Sequence, residues 1–286
     1  MHQIEPGIYC EESYSGVTLG AIVLPHGTIF IDAPLSSEDA RSWRASLLTM
    51  GGSTNRILVD LDSNLDRTLG SRALDCTIVA HQKTAQVFRN RPSIFKSQSL
   101  ESGADWETSD EVVGTRWAPP DITFSDRMNF HWGEKQVILE HHPGPTIGAI
   151  WVIIPESHVL FLGDAVLPQQ PPFLAHADFP AWIDNLNLLI KSYRDFTIIS
   201  GRGGPVSLDI VRTQLRLIKM ISSGLERLAK RNAPPEKTES LIPRLLKDLS
   251  PPSKLRENYA QRLRYGLFQY YSRRYRLPED DEEEKS

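Results

Sequence analysis

The sequence predicts an α/β layer protein, and three observations carry that prediction. Short, wholly apolar runs rich in β-branched residues recur along the chain, as buried strands do; Ile57, Leu58 and Val59 form one. Helix-period patterns stand between several of them, the alternation from which layered α/β folds are built. Polar residues gather where a run hands over to a helix, a favoured place for a site in such folds. With 286 residues, 40% hydrophobic and 24% charged, the chain can bury a sizeable core as one large domain or one domain plus an appendage.

Residues 17–24 and 28–31 are β-rich and joined by Pro25-His26-Gly27, which suits a hairpin. The second run ends in Ile31-Asp32-Ala33-Pro34. Ser36-Ser37-Glu38-Asp39 can then cap a helix reaching about Met50, which Gly51-Gly52 ends. The strand at 57–59 follows, and residues 68–74 read as the first turns of a helix. Another strand spans 76–80. His81 stands at its end, where a helix cap, a structural histidine and a site residue all fit, and a helix can run from there to Phe88. Residues 89–118 read as an insertion covering a cleft. Strands are expected at 128–131, 136–140, 147–155 and 159–162. Beyond Pro205 the periodicity turns helical, over 206–231, 238–249 and 254–275.

The strand at 57–59 ends in a polar cluster, Asp60, Asp62, Asn64, Asp66 and Arg67, with a Gly at position 70. This stretch resembles the His-x-His-x-Asp-His signature of the metallo-β-lactamase-fold hydrolases. Three further landmarks follow in order. Pro143-Gly144-Pro145-Thr146 resembles the family's Pro-Gly-His-Thr turn. Gly163-Asp164, after an apolar strand, resembles its Gly-Asp. Gly201-Arg202-Gly203, after another, resembles its Gly-His-Gly. The resemblance covers roughly residues 5–210. It implies a four-layer αββα sandwich over residues 1–205, a C-terminal helical extension over 206–277 and a hydrolase ancestor.

Laid on that family, the seven metal-ligand positions fall on Asp62, Asn64, Asp66, Arg67, Pro145, Asp164 and Arg202. Asp66 and Asp164 keep the family's residues, and five histidines are missing. Zn²⁺ favours nitrogen and sulfur donors, whereas a guanidinium has no lone pair to give and Pro145 has no side-chain donor. The expectation is therefore that Arg67 and Arg202, with two positive charges, stand in for the second metal and pair with Asp66 and Asp164. The product would be a non-catalytic ligand-binding or scaffolding protein without a cofactor. The alternative keeps Asp66 and Asp164 as catalytic groups and one divalent cation (Mg²⁺, Mn²⁺ or Zn²⁺) on Asp62, Asn64, Asp66 and Asp164, for ester or phosphoester hydrolysis. His141 or His142 could serve as ligand or base, and His142 and His176 as substrate contacts.

Residues 251–277 carry a net charge of +6, while 279–286 carry −5 and read as a disordered acidic tail, assigned from residue 278 onward. Arginines interleave with aromatics between Arg264 and Arg276, which suits nucleic-acid binding, although aromatics at helical spacing also serve as core or homodimer contacts. No signal peptide and no membrane span are expected. Cys10 and Cys76 are expected as reduced thiols, in keeping with a cytoplasmic protein and a small-molecule or protein ligand.

Overall fold

The structure is a computed structural model that describes residues 1–91, 102–109, 112, 115, 116 and 118–275. The acidic tail at 278–286, Arg276 and the middle of the 89–118 insertion lie outside the described residues. Seven strands form one sheet in sequence order: β1 (His2–Glu5), β2 (Ile8–Glu11), β3 (Leu19–Leu24), β4 (Gly27–Ile31), β5 (Arg56–Val59), β6 (Thr77–His81) and β7 (Ile122–Phe124). The first four run antiparallel and the last four parallel. The second sheet takes β8 (Arg127–Phe130), β9 (Val137–His141), β10 (Ile150–Ile154), β11 (Val159–Phe161), β12 (Thr197–Ile199) and β13 (Pro205–Val206), in reverse order from one edge to the other.

Side-chain alternation along the strands builds the layers. Ile150, Val152 and Ile154 of β10 point into the space between the sheets, where they meet Ile29, Ile31 and Val59 of the first sheet. Trp151 and Ile153, on the opposite face, pack under helices. On the first sheet Phe30 and Leu58 turn outward to Trp43 and Leu47 of α1 (Ser37–Thr49). The order is thus helix, sheet, sheet, helix. Fully burying one such side chain stabilises the fold by roughly 1.5–3 kcal/mol, so three shared apolar clusters are ample to fix the layers.

The outer layer on the second sheet is α3 (Phe179–Ser192), α4 (Leu208–Ala229), α5 (Ile242–Leu249) and α6 (Arg256–Tyr275), while α2 (Gln82–Arg89) follows β6. Trp182 of α3, Ile218 of α4, Leu245 of α5 and Leu267 of α6 share one cluster with Trp151 and Leu160. The helical extension is therefore continuous with the core of the sandwich.

Two expected helices differ. Residues 68–74 form no α-helix. Residues 68–70 form a turn after the 3₁₀ piece Leu65–Arg67, and only Ser71–Leu74 is 3₁₀, because the Gly70 amide leaves the segment to donate to Pro34 O at 3.1 Å. The helix expected at 238–249 begins as a 3₁₀ stretch, Pro235–Leu241, before α5, because Pro243 has no amide to donate into an earlier turn. The α1 cap is as expected, with Ser36 Oγ accepting from the Asp39 amide. Cys10 and Cys76 are both free, the first buried between the sheets and the second half-buried.

Candidate functional site

The polar residues converge because four strands end at the same edge. Asp32 follows β4, Asp60 and Asp62 follow β5, Asp164 follows β11 and Arg202 follows β12. Asp32 takes a positive φ of 60°, which turns the chain at the Ile31-Asp32 corner, and its Oδ1 accepts from the Leu61 amide at 2.9 Å.

Arg67 is fully buried. Its Nη1 donates to Asp32 Oδ2 at 2.7 Å, its Nη2 donates to Asp164 Oδ1, and its Nε lies 3.2 Å from Asp62 Oδ1. Room for it comes from glycine: a Cβ on Gly201 would lie 2.7 Å from Arg67 Nη2 and 2.7 Å from the Gly163 carbonyl carbon. Arg202, 3% exposed, is the second hub. Its Nη2 donates to Asp66 Oδ2 at 2.7 Å, its Nη1 to Asp105 Oδ2 at 2.7 Å and its Nε to Asp164 Oδ1 at 3.2 Å. Asp66 also accepts from the Trp106 amide at 2.7 Å, which ties the described part of the insertion to the network.

The balance differs from the expected pair of arginines facing Asp66 and Asp164. Arg67 contacts Asp32, Asp62 and Asp164, and Asp66 is a partner of Arg202 alone among the described arginines. Five carboxylates thus meet two guanidiniums. The surplus appears as proton affinity. Burial raises the Asp32 carboxyl to about 7 against the pull of Arg67, and burial likewise raises Asp62 and Asp66. Asp60, buried beside Asp32, is pushed well above the usual carboxylate range, first by burial and then by the Asp32 charge. Burial also acts to raise Asp164, but Arg202 and Arg67 outweigh it and hold its carboxyl low.

This donor set does not fit a divalent cation. Arg67 stands in contact with both Asp62 and Asp164, the outer members of the expected oxygen set. Asn64 is also committed: its Oδ1 accepts from the Asp66 amide at 3.2 Å and its Nδ2 donates to Asp164 Oδ2 at 3.0 Å. Among the described residues no three His, Cys, Asp or Glu side chains are grouped to hold a metal ion.

The histidines fall elsewhere. His81 is the cap of α2, its Nδ1 accepting from the Lys83 amide at 3.2 Å, and its ring stacks on His141 with centroids 3.8 Å apart. His142, expected as a substrate contact, packs against Trp151 at 3.8 Å and bonds Asn185 of α3 and Glu140. It belongs to the helix-covered face of the second sheet, since Trp151 points away from the inter-sheet core. His176 lies at a cleft.

That cleft, about 310 Å³, opens beside the arginine network. Asn64 and Pro145 line it, as do the apolar side chains of Leu65, Trp106, Phe173 and Leu174. Arg91, Arg262, Arg273 and His176 line it too, and among the described residues none of its lining is Asp or Glu. The Phe173 ring separates two arginines, its centroid 4.6 Å from the Arg202 guanidinium carbon and 4.2 Å from that of Arg262. Arg262 comes from α6 and donates to Gly103 O at 3.0 and 2.8 Å. Desolvation then lowers its pKa to about 10.

Sequence reasoning missed Asp32 and Asp105 as partners, and Arg91, Arg262 and Phe173 as cleft residues. The Ile31-Asp32 corner was a usable signal for the first; nothing local distinguished Arg262 from the other arginines of its helix.

Two packed mixed sheets with helices on both outer faces are the fold of the metallo-β-lactamase superfamily. Residues 71–202 match that superfamily's family model, beginning just after the Asp60–Gly70 stretch. The inverting sec-alkylsulfatase Pisa1 from Pseudomonas sp. superposes with a TM-score of 0.68 at 14% identity, over 95% of this chain and 49% of that one. This chain therefore spans about half the sulfatase's length. The DIM-1 metallo-β-lactamase gives a TM-score of 0.60 at 16% identity over 77% of this chain and 95% of that one. A metallo-β-lactamase from Pontibacter korlensis gives 0.56 at 18% over 76% and 97%. No curated protein matches by sequence.

Proposed function

We propose that this chain is a ligand-binding or scaffolding derivative of a metal-dependent hydrolase, in which arginines have taken the place of the dinuclear metal site. One observation carries the reading. Each guanidinium bridges carboxylates at positions the resemblance assigns to metal ligands: Arg67 joins Asp62 to Asp164, and Arg202 joins Asp66 to Asp164. A fixed cation that cannot leave, cannot bind water as a Lewis acid and has no lone pair supplies the charge of the site without its chemistry. The hydrolase ancestry draws support from structural neighbours whose names are a sulfatase and β-lactamases.

The second reading is a single cation at this edge for ester or phosphoester hydrolysis, which requires the Arg67 contacts to Asp62 and Asp164 to open. Elemental analysis decides between them. Protein purified without chelator, after growth with Mn²⁺ or Zn²⁺ offered separately, should carry no stoichiometric metal. A stoichiometric metal that disappears in Asp164→Ala would overturn the arginine reading. For nucleic-acid binding the stacking surface is reduced, since Tyr270 and Tyr271 are buried, Tyr270 stacking on Phe179 at 4.0 Å, while Phe268 stays exposed.

A further inference from the structure

We infer that the 310 Å³ cleft binds a small amphipathic anion, its carboxylate or phosphonate-like head at Arg273 and His176 and its apolar body against Phe173, Leu174 and Trp106. The inference rests on the reading above, that the site binds rather than hydrolyses, and names the class of ligand.

Charge complementarity carries it. Arg67 and Arg202 meet acids. The two cleft arginines contributed by α6 do not. Arg262 gives hydrogen bonds to Gly103 O and Pro171 O, and Arg273 gives one to Ala177 O at 2.8 Å. Among the described residues neither lies within ion-pair distance of a carboxylate. Carbonyls accept hydrogen bonds without cancelling charge, so Arg262 and Arg273 give the described cleft a positive wall. Partial desolvation, followed by the nearby charges of Arg273 and Arg91, lowers the pKa of His176, so that imidazole also faces a positive field.

Position orders the two ends of the ligand. Arg273 and His176 are exposed, whereas Leu174 is 1% and Trp106 8% exposed, so the charged end is the open one. The volume lies at the lower limit of small-molecule sites, which suits a compact ligand and not a polymer. A cation would face like charge, and a wholly apolar ligand would leave the guanidiniums without an anion.

The test is isothermal titration of the full chain with octanoate, octylphosphonate, octanol and octylamine, all below micellar concentrations, with metal content measured on the same preparation. Octanoate or octylphosphonate should bind one to one, octanol at least about tenfold more weakly, and octylamine not at all. Whichever anion leads assigns a planar or a tetrahedral head, and either supports the site. Arg273→Met should weaken the better anion about tenfold. Arg274→Met, its exposed neighbour outside the cleft lining, should leave binding unchanged. Octanol binding as tightly as the anions, no anion binding, or an Arg273→Met variant with full affinity would overturn the inference. Stoichiometric metal in protein that still binds octanoate would instead overturn the proposed function and leave this inference standing.

Discussion

On one side of Phe173 the arginines are saturated with acids; on the other they are bound to carbonyls. The charges of Arg67 and Arg202 are already met by Asp32, Asp62, Asp66, Asp105 and Asp164. Arg262 and Arg273 are anchored by neutral acceptors and keep their charge. The same side chain serves as an internal counter-ion or as a receptor according to what accepts its hydrogen bonds. The two settings should respond to mutation in opposite ways.

The largest expected effect breaks the counter-ion side. Arg67→Met leaves the buried Asp32 and Asp62 without a cation and Asp164 with Arg202 alone, and should cost roughly 3–5 kcal/mol in denaturant melts. Lysine should not rescue it, since one ammonium cannot span three acids in the same geometry. If Arg67→Met melts like the parent, the division into two settings is wrong. Next comes Gly201→Ala, whose Cβ would meet Arg67 Nη2 and the Gly163 backbone at 2.7 Å. Overpacking there should cost about 1–3 kcal/mol. A smaller loss would mean the guanidinium slot is looser than its contacts imply.

Proton binding sharpens the comparison further. Asp32 at about 7 and Asp60 well above 3.8 hold protons in the folded state that the unfolded chain releases near its ordinary carboxylate pKa. Their contribution therefore falls as pH rises from about 4 through the folded values, which is opposite to Asp164, whose contribution is lost as pH falls. Stability should decline from about pH 4 through about 7, and Asp60→Asn should flatten that decline. An unchanged slope in Asp60→Asn would remove Asp60 from the account. The smallest effect lies on the receptor side: Arg273→Met, on an exposed stretch of α6, should change stability by no more than about 0.5 kcal/mol while anion affinity drops. A large loss of stability would make Arg273 a structural residue.

Much of this was legible in the residues. The alternation in β10, the Ser36 cap and the order of the four landmarks placed the sandwich, because strand period and cap chemistry are local. Arg67 and Arg202 could be marked because a guanidinium at a ligand position contradicts metal binding whatever the surroundings. Which carboxylate each would choose was not legible. Asp32 reaches Arg67 through the turn at the end of β4, and Asp105 reaches Arg202 from a stretch with no periodicity. The cleft was the least legible part, since Arg262 and Phe173 meet only after α6 has packed on the core. The helix expected at 68–74 failed because a single amide, that of Gly70, is drawn to Pro34.

The network also has a place in time. Arg202 meets Asp66 across 136 residues of chain and Arg67 meets Asp164 across 97, so no nascent segment can hold these pairs by itself. Each guanidinium must stay hydrated until both sheets have come together, and its dehydration belongs to the last stage of assembly. Weakening such a late contact should speed unfolding far more than it slows refolding. Stopped-flow measurements on Arg202→Met would read this as a steep rise in the unfolding rate with the refolding limb nearly unmoved. The network would then act as a latch on an already folded sandwich.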